Sequence, residues 1–159
     1  MKITVISVGK IKEKFYRDAI DEYAKRLSRY CKLNIVEVAD EKTPDGASAN
    51  LCMSIMEKEA DRIESHITEG SYVIALAIEG KKCNSENFAH KIEGLCVNGT
   101  SHIIFIIGGS LGIADRIKKR ADELLSFSDM TFPHQLMRVV LLEQVYRGFR
   151  IINNEPYHK

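Results

Sequence analysis

Tryptophan is absent from this 159-residue chain, and proline occurs only three times. The four cysteines, Cys31, Cys52, Cys83 and Cys96, form no C-x-x-C pair, and their irregular spacing excludes a zinc-ribbon or disulfide scaffold. They read as reduced, small hydrophobes. Long apolar runs are also missing: none approaches the roughly 18 residues that span a bilayer. The segment Met1–Ser7 has no room for a signal peptide and no cleavage-type site after it, so the expected location is the cytoplasm, with no membrane partner. Neither G-x-G-x-x-G nor G-K-[ST] occurs, which argues against dinucleotide and nucleoside triphosphate sites. The five histidines, His66, His90, His102, His134 and His158, show no ligand spacing, so no metal is expected.

Net charge is also small, at +1, too little for a uniformly basic nucleic-acid binder. The charge is nevertheless segregated. Residues 1–33 carry nine basic and four acidic groups, residues 34–71 three basic and nine acidic, and residues 113–159 eight basic and six acidic. This pattern fits solvated helix faces of differing sign. It also fits a basic face, built from the first segment and the last third, for a polyanion.

What is present is an ordinary globular composition, 45% hydrophobic and 28% charged, at the length of one domain, 1–159. Strand-like runs alternate with helix-like periods. Strands are expected at Lys2–Ser7, Leu33–Val38, Tyr72–Ile78 and His102–Ile107, with Ser126–Met130 short and extended. Helices are expected at Lys12–Arg29, Leu51–Ile67, Ser85 (as N-cap) to about Cys96, Asp115–Leu125 and His134–Ile152. The alternation predicts an α/β fold, a mainly parallel sheet flanked by helices. Ligands of such sheets bind beyond the carboxyl ends of the strands, which selects the loops Glu79–Asn84, Gly108–Gly112 and Ser126–Phe132.

Three glycines in five residues, Gly108-Gly109-Ser110-Leu111-Gly112, suit a backbone that approaches a ligand closely, or a tight turn alone. The same five residues satisfy G-x-S-x-G, so a small hydrolase using Ser110 with Asp129 and His134 is a rival reading, as is a non-catalytic RNA- or nucleotide-binding protein. In the final helix, Val139–Leu142 is apolar nearly all round. Such a helix needs cover on more than one side, and a homodimer packed partly on it is expected.

The C-terminal third, SFSDMTFPHQLMRVVLLEQVYRGFRIINNEPYHK, resembles the RlmH family of ribosomal RNA large-subunit methyltransferases in the knotted SPOUT superfamily. The likeness continues through FIIGGSLGI, LAIEGKKCNSENFA and MKITVISVGKIKEKF. Ala77 departs from the family's usual Asp, and Gly148 from its common Ala. The resemblance implies a C-terminal trefoil knot and S-adenosylmethionine as cofactor. It places cofactor binding at Leu76, Gly108, Phe127, Ser128, Asp129, Met130, Thr131 and Phe132. It implies methylation of N3 of a pseudouridine in a 23S rRNA stem-loop, with the 70S ribosome as substrate. That nitrogen must lose a proton before it attacks. The candidates are His158 as base, or as a tail histidine without chemistry; Arg147 as a cation for the ring or a phosphate, or in an intersubunit salt bridge with Glu143; and Tyr157 as a stacking or hydrogen-bonding partner. Arg138 is expected to be structural.

Overall fold

The computed structural model describes all of residues 1–159. Five strands, β1 (Lys2–Val8), β2 (Lys32–Val38), β3 (Tyr72–Lys82), β4 (His102–Ile107) and β5 (Glu123–Ser126), form one sheet in the order β2-β1-β4-β3-β5. Every pairing is parallel. Five helices connect or follow them: α1 (Lys14–Leu27), α2 (Ala49–Glu64), α3 (Ser85–Val97), α4 (Asp115–Arg120) and α5 (His134–Ile152). None is long and apolar enough to cross a membrane.

Strand side chains alternate between the sheet's two faces, and both faces are covered. Ile3 and Val5 of β1, with Ile103, Phe105 and Ile107 of β4, join a core completed by Leu27 of α1, Ile92 of α3 and Leu141, Val145 and Phe149 of α5. Ile6, Val8, Ile104 and Ile106 point the other way, onto Ala60 and Ile63 of α2 and Ile117 of α4. Helix α5 is thus the central helix of one face, between α1 and α3. Its Leu141 and Leu142 are buried, whereas Val139 and Val140 stay partly exposed in the single chain.

Two boundaries differ from the sequence-based expectation. The helix expected to run to Leu125 stops at Arg120, and Glu123–Ser126 is a strand. The backbone turns extended at Ala121, and Asp122 is exchanged into the sheet: its N–H donates to the Val73 carbonyl (2.9 Å), and its carboxylate accepts from the Val73 N–H (2.7 Å). Strand β3 also continues past Ile78 to Lys82. Its register against β5 jumps between Leu76 and Lys81, both of which oppose Leu125, so residues 77–80 bulge outward. Gly80 makes this possible. A Cβ there would lie 2.7 Å from the backbone carbons of Leu124 and Leu125. Elsewhere the differences are small. Ser48 caps α2, its hydroxyl accepting from the Leu51 N–H, and α3 is capped by Asn84 rather than Ser85.

Candidate active site

The carboxyl ends of β3, β4 and β5 point at a single cleft of about 820 Å³. Its wall comprises the bulge after Leu76, the glycine loop after Ile107, the segment Leu125–Phe132 and the first turn of α5. The glycine loop closes on itself: the Gly112 N–H donates to the Gly109 carbonyl at 3.0 Å, and Gly112 has φ +88°. Gly108 has no space for a side chain, because a Cβ would lie 2.5 Å from the Gly112 carbonyl oxygen. The third wall is shaped by serines. Ser126 Oγ donates to the Ser128 carbonyl (3.1 Å), and Ser128 Oγ accepts from the Met130 N–H (3.0 Å). Phe127 anchors the wall edge-on to Phe88 of α3, with ring centres 6.5 Å apart.

Leu76, Gly108, Phe127, Ser128, Met130, Thr131 and Phe132 all line this cleft. Asp129 does not. Its carboxylate faces solvent and pairs with Lys82 on the extended end of β3. Met130 and Phe132 are exposed at the rim rather than buried as walls. Lining residues not singled out from the sequence include Ile78, Pro133, Met137 and Lys118, which pairs with Glu79 of the first selected loop. Lys118 holds the Glu79 carboxyl below the ordinary glutamate range. Backbone amides, carbonyls and apolar rims of this kind suit a neutral heterocycle and a ribose; the three grouped loops and the start of α5 leave room for a nucleoside-sized ligand.

The three residues expected to act chemically lie together, but elsewhere. Arg147 and Glu143, one turn apart on α5, form an ion pair within the chain (2.6 Å). Tyr157 folds back along the helix, and its hydroxyl donates to the same Glu143 oxygen (3.2 Å). Arg147 Nη1 approaches His158 Nδ1 at 3.3 Å. A guanidinium only donates, so this contact places the lone pair on Nδ1 and the ring hydrogen on Nε2, which faces Glu86 Oε1 at 3.6 Å. Burial, with Tyr23 and Glu143 beside it, pushes the Tyr157 phenol up to about 12. His158 lines a second, smaller pocket of about 400 Å³ with Asn84, Ser85, Phe127 and Gln144. The two cavities share only the wall Leu125–Phe127. No tail residue reaches the larger cleft within its own chain.

Arg138 is structural, as expected. It is buried, with Nη1 on Glu37 (2.6 Å) and Nη2 on the carbonyls of Val8 (2.8 Å) and Gly9 (2.6 Å). The geometry gives the hydrolase reading no support. Ser110 is exposed, lacks the positive φ of a strained nucleophile turn and bonds to no histidine, while Asp129 is committed to Lys82. No group of three or more metal-ligating side chains occurs.

Residues 1–158 match a family described as "Predicted SPOUT methyltransferase". The chain is 65% identical over 159 residues, the full length of both proteins, to the ribosomal RNA large subunit methyltransferase H of Bifidobacterium adolescentis. It is 61% identical, again over both full lengths, to the protein of that description from Clostridium botulinum. Among solved structures, it resembles "a probable methylase family protein" from Haemophilus influenzae Rd KW20, with a TM-score of 0.53 and 12% identity over 99% of this chain and 70% of that one; this is a likeness of fold.

Proposed function

The chain belongs to the ribosomal RNA large subunit methyltransferase H family of SPOUT methyltransferases, and on that premise we propose that it methylates N3 of a pseudouridine in a 23S rRNA stem-loop of the assembled 70S ribosome. The observation that carries this reading is the convergence of three strand-end loops on one cleft whose glycine has no room for a side chain. S-adenosylmethionine is the methyl donor in this reading, and when bound it supplies an electrophilic methyl group on a sulfonium. Gly108 and the backbone of Phe127–Phe132 would hold it through amide and carbonyl edges, and Leu76 would offer it an apolar wall. The knot expected of the family is part of the same proposal, as is the cytoplasmic setting.

The remaining chemistry belongs to the chain's own side chains. Arg147 lowers the cost of a negative charge on the pseudouridine ring, and His158 takes the N3 proton at Nδ1 once Arg147 turns toward the ring. Tyr157 positions the base with a phenol that keeps its proton. These groups do not line their own chain's large cleft, so the complete site is composite: the cleft of one subunit and the tail of another in a homodimer. Alignment of nucleophile and methyl group is then the main catalytic contribution.

The test is incubation of the protein with radiolabelled S-adenosylmethionine and 70S particles from a strain lacking the modification. Label at N3 of one 23S rRNA pseudouridine supports the reading. Binding of S-adenosylmethionine with no RNA labelled would leave a non-catalytic binding protein instead.

A further inference from the structure

Neither the cleft nor the tail cluster offers much free positive charge to an RNA backbone. Lys118 is committed to Glu79, Lys82 to Asp129, Arg147 to Glu143 and Arg150 to Glu155. Arg116 is held by three carboxylates of α2, Glu57, Asp61 and Glu64. The start of α1 is different. Lys10, Lys12, Lys14 and Arg17 are all exposed there, and only Lys14 has an acidic partner, Asp18. Arg17 donates to the Ile11 carbonyl (3.4 Å), which leaves its charge without a counter-ion. Between these cations stands Phe15, 65% exposed and the most solvent-facing phenylalanine of the chain, tilted against Tyr16 with ring centres 4.3 Å apart.

This platform is held rigidly at the cleft. Gly9 donates to the Val38 carbonyl (2.8 Å), while its own carbonyl accepts from buried Arg138. Ile11 is buried, and its N–H donates to Glu37 (3.2 Å), the carboxylate that also pairs with Arg138. A Cβ on Gly9 would lie 3.5 Å from His134 Nε2, and His134 lines the large cleft. The cations Lys10, Lys12, Lys14 and Arg17 are therefore fixed beside the large cleft. An exposed ring with unpaired cations on either side is the arrangement that binds unpaired nucleotides: the ring stacks a base, and the cations hold its flanking phosphates.

We propose that residues Gly9–Arg17 form an RNA-docking platform, with Phe15 stacking an unpaired base of the substrate and Lys10 and Lys12 binding adjacent phosphates. This rests on the ribosomal RNA reading and adds the surface that receives the RNA. A protein partner would be served by an apolar patch, and here the apolar surface is a single ring among cations.

The experiment pairs steady-state methylation of unmodified 70S particles with fluorescence-anisotropy binding of a protein-free 23S stem-loop RNA. It uses the full chain, Phe15→Ala, Phe15→Tyr and the double variant Lys10→Ala/Lys12→Ala. All three changes are at exposed positions, and melting temperatures confirm folding. Phe15→Ala should weaken RNA binding and raise KM for the particles about tenfold or more, with unchanged affinity for S-adenosylmethionine, and Phe15→Tyr should recover most of it. The lysine variant should flatten the log–log dependence of RNA affinity on salt by about 1.4, the contribution of two single-strand phosphates. Wild-type RNA affinity in Phe15→Ala with an unchanged salt slope in the lysine variant overturns the proposal. So does a defect confined to whole particles, which would assign the platform to a ribosomal protein. A wild-type protein that binds the stem-loop through Phe15 yet transfers no methyl group would refute the reaction and leave the platform standing.

Discussion

The guanidinium of Arg147 lies 4.7 Å from the centre of the Tyr157 ring, and both side chains bind the same oxygen of Glu143. One carboxylate on α5 therefore sets the positions of two tail-site groups, and through Arg147 that of a third, His158. Glu143→Gln keeps the shape but removes the charge that both partners bind. Charge-assisted bonds of this kind exceed neutral ones by about 1 kcal/mol. Turnover of RNA should fall about tenfold, while affinity for S-adenosylmethionine, measured by calorimetry, stays at the wild-type value because the large cleft is untouched.

Tyr157 gives a pH signature. Its phenol is pushed up to about 12, chiefly by burial, so it keeps its proton wherever the enzyme works. The pH–rate profile of Tyr157→Phe should keep the wild-type limbs, with only its height reduced; a limb that vanished would make Tyr157 the titrating base. The sign for stability follows from linkage. Between pH 10 and about 12 the unfolded chain has released this proton and the folded chain has not, so stability falls as pH rises through that window. Urea denaturation of Tyr157→Phe should show a shallower fall there.

Much of this site was legible in the sequence, because glycines, strand ends and helix periods are local signals. The glycine loop, the span of α5 and the strand-end loops that meet at the cleft were of that kind, whereas the individual cleft residues within those loops came from the family resemblance. The sequence says less where distant segments decide. Leu124 and Leu125 complete a helical period with α4 in isolation, but Val73 of β3 offers Asp122 a sheet pairing and the chain takes it. Asp129 sits among cofactor-loop residues in sequence, yet Lys82 draws it outward from a strand extension that itself depends on β5. Arg138 is expected to be structural, and the folded chain adds what it holds, two carbonyls at the end of β1 and Glu37.

Glu59 of α2 is a second buried charge, beneath the glycine loop. Its carboxyl is 4% exposed, accepts the Glu41 N–H (3.0 Å) and would lie within 3.2 Å of a Cβ on Gly109. Burial is the main cause that raises its pKa, so the folded chain binds this proton more tightly than the unfolded one. Stability should therefore drop as pH rises from the ordinary glutamate value through the raised one. Glu59→Gln keeps an acceptor for Glu41 and removes the charge. It should be more stable than wild type at pH 7, with the difference disappearing below about pH 4, as read from urea midpoints.

Two glycines should respond in opposite ways to the same added methyl group. At Gly108 a Cβ would meet the backbone of Gly112 at 2.5 and 2.6 Å, and backbone there cannot yield without opening the loop. Gly108→Ala should weaken S-adenosylmethionine binding at least tenfold, about 1.4 kcal/mol, in a calorimetric titration. Gly148 lies inside α5, where a Cβ would meet Ile92 Cδ1 at 3.5 Å and Ala89 Cα at 3.7 Å, both ordinary contacts. Alanine there removes glycine's helical penalty of about 1 kcal/mol and should raise the melting temperature by about 2–4 °C, with methyl transfer unchanged. The contrast separates a glycine required by close backbone approach from one the packing merely allows. If Gly148→Ala lost activity instead, α5 would have to move against α3 during the reaction.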